Sequence, residues 1–189
     1  MSLSPHYEKQ LKTMHVDASE DRLWGTTGHR NFGPVLLEYL KQHDRITSVL
    51  DFGCGQGTLG LYVKNILDRT ISWKEYDPGI LGKDKPPQAK YDLVVSSDVL
   101  EHVEPEHVEA TIKELQDYAT KAMFHFISCG EGEIQLPDGR PEHLSVHDPH
   151  WWKDKFDHPD WELMYWADER KRKRGGMKKS VLIQTDRIR

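Results

Sequence analysis

The sequence predicts an α/β protein built on a doubly wound, mostly parallel sheet that ends in a C-terminal antiparallel hairpin. Three observations carry that prediction. The apolar run Ser48–Phe52 passes directly into the alternating glycines Gly53, Gly55 and Gly57, and Leu59, Tyr62, Val63, Ile66 and Leu67 then recur at helical spacing. Residues able to do chemistry follow the apolar runs one after another: Asp51, Asp77, the stretch from Ser97 to His102, and the stretch from Asp138 to His147. In an open parallel sheet, ligands sit outside the carboxyl ends of the strands, so these four segments share one edge. Finally, two apolar runs at 161–167 and 180–185 flank a basic turn holding Gly175 and Gly176, which reads as a hairpin.

Taken in order, residues 1–30 carry few apolar periodic positions and read as an N-terminal arm or lid, marked by Trp24, Gly25 and His29. The remainder, 31–189, reads as the core of one domain spanning 1–189. Pro34, Leu36, Leu37 and Leu40 predict a helix from Asn31, before a strand at 47–52. A second strand is expected at 70–76 and a third at 91–97. The 14 residues between them contain Pro78, Gly79, Gly82, Pro86 and Pro87, too broken for a helix and strand together. About six strands therefore result, with one edge strand missing or vestigial. Pro105 opens a helix at 106–119 that buries Val108, Ile112, Leu115 and Ala119, and a strand at 122–128 leads to a long loop at 129–147. Asp148 and Pro149 have the character of an N-cap and first helical residue, preceding Trp151, Trp152 and Phe156.

At 189 residues, 37% apolar and 30% charged, the chain can bury a real core. No apolar run approaches the roughly 20 residues that span a bilayer. The polar, partly acidic N-terminus is unlike a signal peptide, so a cytoplasmic location without membrane contact is expected. Cys54 and Cys129 form no metal or CxxC spacing. A net charge of -5 argues against a surface that coats nucleic acid. The local exception is 170–179, with seven basic residues in ten, which leaves nucleic-acid contact open although no aromatics are interleaved for stacking.

The glycine loop suits a nucleoside cofactor, and two classes fit it. Gly55, Gly57 and Gly60 spell GxGxxG with Asp77 about twenty residues on, the dinucleotide pattern. Asp51 weighs against a dinucleotide, because a carboxylate at the strand end would face a pyrophosphate, whereas it suits an ammonium and a sulfonium. The chain is also short for the second substrate domain a dinucleotide dehydrogenase usually carries. Asp51-Phe-Gly-Cys-Gly-Gln-Gly57 resembles motif I of class I S-adenosylmethionine-dependent methyltransferases. The stretch from Tyr91 to Val103 is similar to their later cofactor-adjacent motif. More narrowly, Tyr76-Asp-Pro78, Asp98-Val-Leu-Glu-His102, Glu104-Pro-Glu106, Asp138-Gly-Arg140 with His143, and Trp151-Trp152 resemble small methyltransferases of bacteria and phages. The resemblance covers most of 46–156 and implies a Rossmann-like fold and S-adenosylmethionine as donor. It assigns Asp51, Gly53, Cys54, Gly55, Gly57, Asp77, Ser97 and Asp98 to the cofactor. Asp77 would take the ribose hydroxyls, with Glu75 as the fallback. The broken 77–90 segment departs from the seven-stranded pattern of those enzymes.

Asp98, Glu101 and His102 stand at i, i+3 and i+4 and would project from one side of a helical turn. With His143 they resemble the metal site of small-RNA 2′-O-methyltransferases and ubiquinone-pathway O-methyltransferases, which implies Mg²⁺ acting as a Lewis acid. Without a metal, His102 or His143 could act as general base. Asp138, Arg140 and His143 are the acceptor-binding candidates, Arg140 suiting a carboxylate or phosphate. His125, between Phe124 and Phe126 in a strand, reads as structural. The expected activity is methyl transfer to an oxygen or nitrogen of a small-molecule or glycan-like acceptor. A 2′-O-type nucleic-acid methyltransferase and a non-catalytic cofactor-binding partner subunit are the alternatives.

Overall fold

Ser48–Phe52 (β1) is the second strand of a six-stranded sheet, paired in parallel with Ser72–Tyr76 (β2) on one side and Tyr91–Ser97 (β3) on the other. The structure, a computed structural model, describes residues 1–16, 26, 28–171 and 177–188. Beyond β3 comes Ala119–Ser128 (β4), also parallel, and then an antiparallel pair, Trp161–Lys171 (β5) and Met177–Arg187 (β6), in the order β2-β1-β3-β4-β6-β5. The mixed sheet with its closing hairpin is the expected architecture, and β2 is an edge because 77–90 folds into turns rather than a strand. The order reverses between β1 and β3, so their carboxyl tips form the crevice of a doubly wound fold.

Alternation along β1 assigns its side chains to two layers. Val49 joins Phe32, Leu36, Leu40, Leu59 and Val63 in one core cluster, while Leu50 and Phe52 join Ile112, Leu115, Trp152 and Phe156 in another. The first layer is supplied by the helices Gly33–Gln42 (α3) and Thr58–Ile66 (α4), preceded by the short Gly28–Asn31 (α2); the second by Val108–Tyr118 (α5) and Pro149–Phe156 (α6). Gly60 lets α4 lie close on β2, because a Cβ there would meet the Trp73 indole. Ile66, expected in the α4 stripe, is 48% exposed, since the helix ends there and Leu67 turns extended. α5 starts later than expected, after a 3₁₀ turn at Pro105–His107, and Ala119 belongs to the strand. The Asp148 side chain accepts from the backbone N–H of His150 and Trp151, the N-cap that the sequence implied.

The N-terminal arm holds a helix that the sequence reading did not assign, Pro5–Val16 (α1). Ser4 caps it by accepting the Tyr7 N–H, and Tyr7 and Leu11 bury against Leu136 of the loop that follows β4. A fully buried large apolar side chain is worth roughly 1.5–3 kcal/mol, enough for two of them to hold a short helix in place.

His125 is fully buried in β4, Oγ of Ser96 lies 2.8 Å from its Nδ1, and the Phe156 ring packs on it. Burial pushes its pKa down to about 3, so the folded chain keeps it neutral while the unfolded chain protonates it near 6.5. The stability this contributes is complete above pH 6.5 and is lost as pH falls toward 3. Between those limits wild type should therefore lose more melting temperature than His125→Gln, measured by calorimetry across the range; equal slopes would rule the effect out.

Candidate functional site

Gly53, Gly55 and Gly57 all have positive φ, at 75°, 51° and 83°, and Gly53 needs glycine for space as well, while a Cβ on Gly57 would press on the ends of two flexible side chains. A Cβ on Gly53 would come within 2.5 Å of Val99, and one on Gly57 within 2.6 Å of Glu75 Oε1 and 2.9 Å of Lys83 Nζ. The loop is fastened to the neighbouring strand: the N–H groups of Gly53 and Cys54 donate to the Tyr76 carbonyl at 2.8 and 3.1 Å. Asp77 completes the clamp, accepting the Gly55 N–H on Oδ2 and the Gly79 N–H on Oδ1, each at 2.9 Å. The predicted ribose carboxylate is thus buried against the predicted loop. His15, in the last turn of α1, sits over it with Nε2 3.7 Å from Asp77 Oδ1.

Asp51 is 2% exposed; its buried Oδ2 makes no hydrogen bond of ordinary geometry among the described residues, although the Trp73 side chain lies close enough to favour its charged form. Burial, reinforced by the Glu75 carboxylate and opposed by Lys83, pushes its pKa up to about 7. The same surroundings, burial first and then Asp51 and Asp77, raise the Cys54 thiol far above its ordinary range, so it acts as a small buried group rather than a nucleophile. Ser97, at the tip of β3, also has a buried Oγ without a partner among the described residues. Two such oxygens at adjacent strand tips lack the partners that buried polar atoms normally find, and a polar ligand would supply them.

Asp98 follows with φ 54°, a left-handed conformation that aspartate tolerates better than most residues. Its N–H donates to the Phe126 carbonyl at 2.9 Å. The turn after it is a 3₁₀ turn at Leu100–His102 rather than an α-helix, so the i, i+3, i+4 projection does not arise. Glu101, His102 and His143 converge, with one donor atom from each lying within 4.8 Å of the others, and Asp98 stands outside that group.

The 129–147 loop brings His143 there. His102 Nδ1 lies 2.9 Å from the Glu142 carbonyl and His143 Nδ1 lies 2.6 Å from the Gly130 carbonyl. A carbonyl only accepts, so both rings donate from Nδ1 and keep the Nε2 lone pair, the tautomer that a base or a metal ligand needs. The rings meet edge to face, centroids 4.7 Å apart. Burial and then His143 lower the His102 pKa to about 3. Glu101 is fully buried; Oε1 accepts the Ser128 N–H at 2.8 Å and Oε2 is left without a partner among the described residues. Burial, followed by the charge of Asp98, raises its pKa well above the carboxylate range. Val99, two residues before Glu101, occupies the space a Cβ on Gly53 would need, so the segment leading into this cluster packs on the glycine loop.

Asp138 and Arg140 are used elsewhere. Arg140 Nε bonds Asp138 at 2.9 Å and its Nη1 lies 3.6 Å from Glu104; His6 meets Asp138 at 3.0 Å, and the Ser4 backbone N–H and hydroxyl donate to Glu104. These groups rivet α1 to the loop. Trp151 stacks on His147 at 3.5 Å while Trp152 fills the core. Trp24, Gly25 and the turn at 172–176 lie outside the described residues, as does the centre of the basic run.

Residues 24–162 match the profile of the methyltransferase domain. No significant match to a curated protein is found. Among solved structures, the chain is similar to 1,6-didemethyltoxoflavin-N1-methyltransferase of Burkholderia thailandensis, solved with 1,6-didemethyltoxoflavin and S-adenosylhomocysteine, at 16% identity and TM-score 0.68 over 100% of this chain and 92% of that one. It is also similar to DhpI in complex with S-adenosylhomocysteine, at 18% identity and TM-score 0.60 over 95% and 98% of the two chains. A third likeness is to magnesium protoporphyrin IX methyltransferase of Synechocystis with bound S-adenosylmethionine, at 14% identity and TM-score 0.58 over 98% and 92%. At these identities the likeness is one of fold.

Proposed function

The chain belongs to the methyltransferase domain family and is an S-adenosylmethionine-dependent methyltransferase, and from that premise we propose that it methylates an oxygen or nitrogen of a small-molecule or glycan-like acceptor. The observation that supports the donor half of this reading is the convergence of the clamped glycine loop with two buried oxygens that lack a hydrogen-bond partner among the described residues, Asp51 Oδ2 and Ser97 Oγ, at neighbouring strand tips. In it, Asp77 accepts the ribose hydroxyls, and Asp51 faces the positive end of the donor. Gly53, Cys54, Gly55 and Gly57 line its path, and Ser97 and Asp98 flank it from β3.

The acceptor attacks the sulfonium methyl in line, and S-adenosylhomocysteine leaves as the neutral thioether. Holding the nucleophile about 3 Å from the methyl supplies most of the acceleration. The proton of the acceptor passes to His143, whose Nε2 lone pair is set by the Gly130 carbonyl, while His102, kept neutral by burial, packs edge to face on that ring and positions it. His143 thereby keeps its place beside the acceptor, while Asp138 and Arg140 act by holding α1 across the same loop. The Burkholderia thailandensis enzyme of the same fold, solved with 1,6-didemethyltoxoflavin, supports a small-molecule acceptor.

Glu101, His102 and His143 do not make the oxygen-rich cage that Mg²⁺ prefers, so no step is assigned to Mg²⁺. Two imidazoles and a carboxylate suit a borderline ion such as Zn²⁺ or Mn²⁺, which would act there as a Lewis acid. Both cysteines are free, in keeping with a cytoplasmic enzyme.

Thermal-shift measurements test the donor. At a hundredfold excess over Kd, S-adenosylhomocysteine should stabilise the protein by about 2.7 kcal/mol, or roughly 5–10 °C for a chain of this size; NAD or NADP should not. A shift with the nicotinamide cofactors alone would overturn the assignment. Zn²⁺, Mn²⁺ and EDTA on the same plate test the ion, and transfer of labelled methyl into a cell extract identifies the acceptor class.

A further inference from the structure

The turns at 77–90, which stand where an edge strand was missing, carry a cation into the glycine loop. Lys83 Nζ lies 2.9 Å from Glu75 Oε2 and donates to the Gly55 carbonyl at 3.1 Å. Its backbone is held too, since the Lys83 carbonyl accepts the Asp77 N–H and its own N–H donates to the Ile80 carbonyl, both at 3.0 Å. Residue 83 is therefore fixed at both ends, one to the turn after β2 and one to the loop after β1.

The pair packs against the loop itself. A Cβ on Gly57 would meet both Glu75 and Lys83, so the loop curves directly over their charges. Lys83 and Glu75 side chains are 23% and 29% exposed, and such a partly buried pair is screened less than a surface one. Asp51, Glu75 and Asp77 all crowd this end of the sheet, and the Lys83 charge bears on Asp51, Cys54 and Glu75 together. An unmatched Glu75 carboxylate there would repel Asp51 and leave the Gly55 carbonyl without its lysine donor.

We propose that Lys83 is a positioning residue for the donor site: clamped between the Glu75 carboxylate and the Gly55 carbonyl, it holds the glycine loop in its donor-accepting shape at the sheet edge where no further strand does so. This rests on the reading of the loop as the S-adenosylmethionine site. Lys83 makes the loop and takes no part in methyl transfer, so its loss acts on donor binding alone. Its loss weakens the sulfonium and thioether forms both, because shape is its main contribution, and the sulfonium form somewhat more, because the Lys83 charge also favours ionised Asp51.

The test is calorimetric titration of the full chain with S-adenosylmethionine and S-adenosylhomocysteine, together with steady-state kinetics. Lys83→Met should raise Kd for both ligands by roughly tenfold, the scale of one charge-assisted hydrogen bond. It should leave kcat at saturating donor and KM for the acceptor close to wild type. Glu75→Gln should give a similar loss, the double variant no more than the larger single loss, and Lys83→Arg should retain most of the affinity. Those two variants read the same pair should Lys83→Met fold poorly. Unchanged or tighter S-adenosylmethionine binding by Lys83→Met, a loss in kcat instead of Kd, or fully additive losses would overturn the proposal while wild type still binds the donor. A wild type that binds neither ligand would overturn the reading of the loop along with it.

Discussion

Asp51→Asn should bind S-adenosylmethionine ten- to a hundredfold more weakly than wild type at pH 8, yet unfold at a higher temperature. The affinity loss is the scale of roughly 1.5–3 kcal/mol for a hydrogen bond to a charged group. The stability gain follows from where the charge sits. Asp51 is 2% exposed, and burial with Glu75 beside it raises its pKa from 3.8 to about 7. The folded chain thus holds a proton that the unfolded chain releases above pH 3.8. The resulting penalty grows from that pH, is complete above about 7, and is of the order of 4 kcal/mol by linkage. Asparagine cannot ionise and escapes it, so the two melting curves should converge near pH 4 and separate as pH rises.

Binding a cation demands the ionised form, so wild-type affinity for the donor should fall about tenfold per pH unit below 7, while Asp51→Asn should be flat there. The charged groups facing Asp51 are Glu75, Asp77 and Lys83, with the Trp73 side chain beside them, and none of them is altered by the substitution. S-adenosylmethionine, with its sulfonium, should lose more affinity than S-adenosylhomocysteine. Calorimetric titration from pH 5 to 8 reads all three effects, and undiminished donor binding by Asp51→Asn would remove Asp51 from the donor site.

His143→Ala should lower turnover roughly 10²- to 10³-fold, within the range for general acid–base catalysis, and leave the donor Kd unchanged. His143 stands on the 129–147 loop with Nδ1 fixed by the Gly130 carbonyl, whereas Asp77 is held by the Gly55 and Gly79 N–H groups, so removal of the His143 ring should take away a proton acceptor without disturbing that clamp. His102→Ala should cause a comparable fall, and the double variant should fall little further, because the two rings act as one unit. Single-turnover rates with pre-bound donor measure this apart from binding. Full activity in both single variants would leave proximity as the whole mechanism and reduce the pair to shaping the loop.

How much of this was legible in the sequence depended on the range of the contacts involved. The bounds of β3, the missing edge strand, the Asp148 cap and the stripe of α5 follow from spacing and from proline and glycine within a dozen residues. α1 was overlooked because it offers few apolar positions, although Ser4 before Pro5 and the spacing of Tyr7, Leu11 and Met14 were a usable signal. The cluster of base and metal-ligand candidates was half legible. Glu101, His102 and His143 come together, but the 3₁₀ turn leaves Asp98 aside, because helical projection fails where the backbone passes through a left-handed residue.

Asp138 and Arg140 read as acceptor-binding residues from their loop position and the planar fork of Arg140; the contacts they also make, to His6 and Glu104, are 132 and 36 positions away respectively and are not visible in the sequence. Lys83 gave no signal at all, being one lysine in a loop. By itself, then, the order of residues determined the strand, loop and helix unit, its acidic tip and the class of donor, since each rests on backbone geometry among neighbours. Only the tertiary structure decided which charges face one another across β1 and β2, which histidines keep a lone pair, and what Arg140 and Lys83 hold, because those outcomes depend on burial and on segments that meet only when the chain has folded.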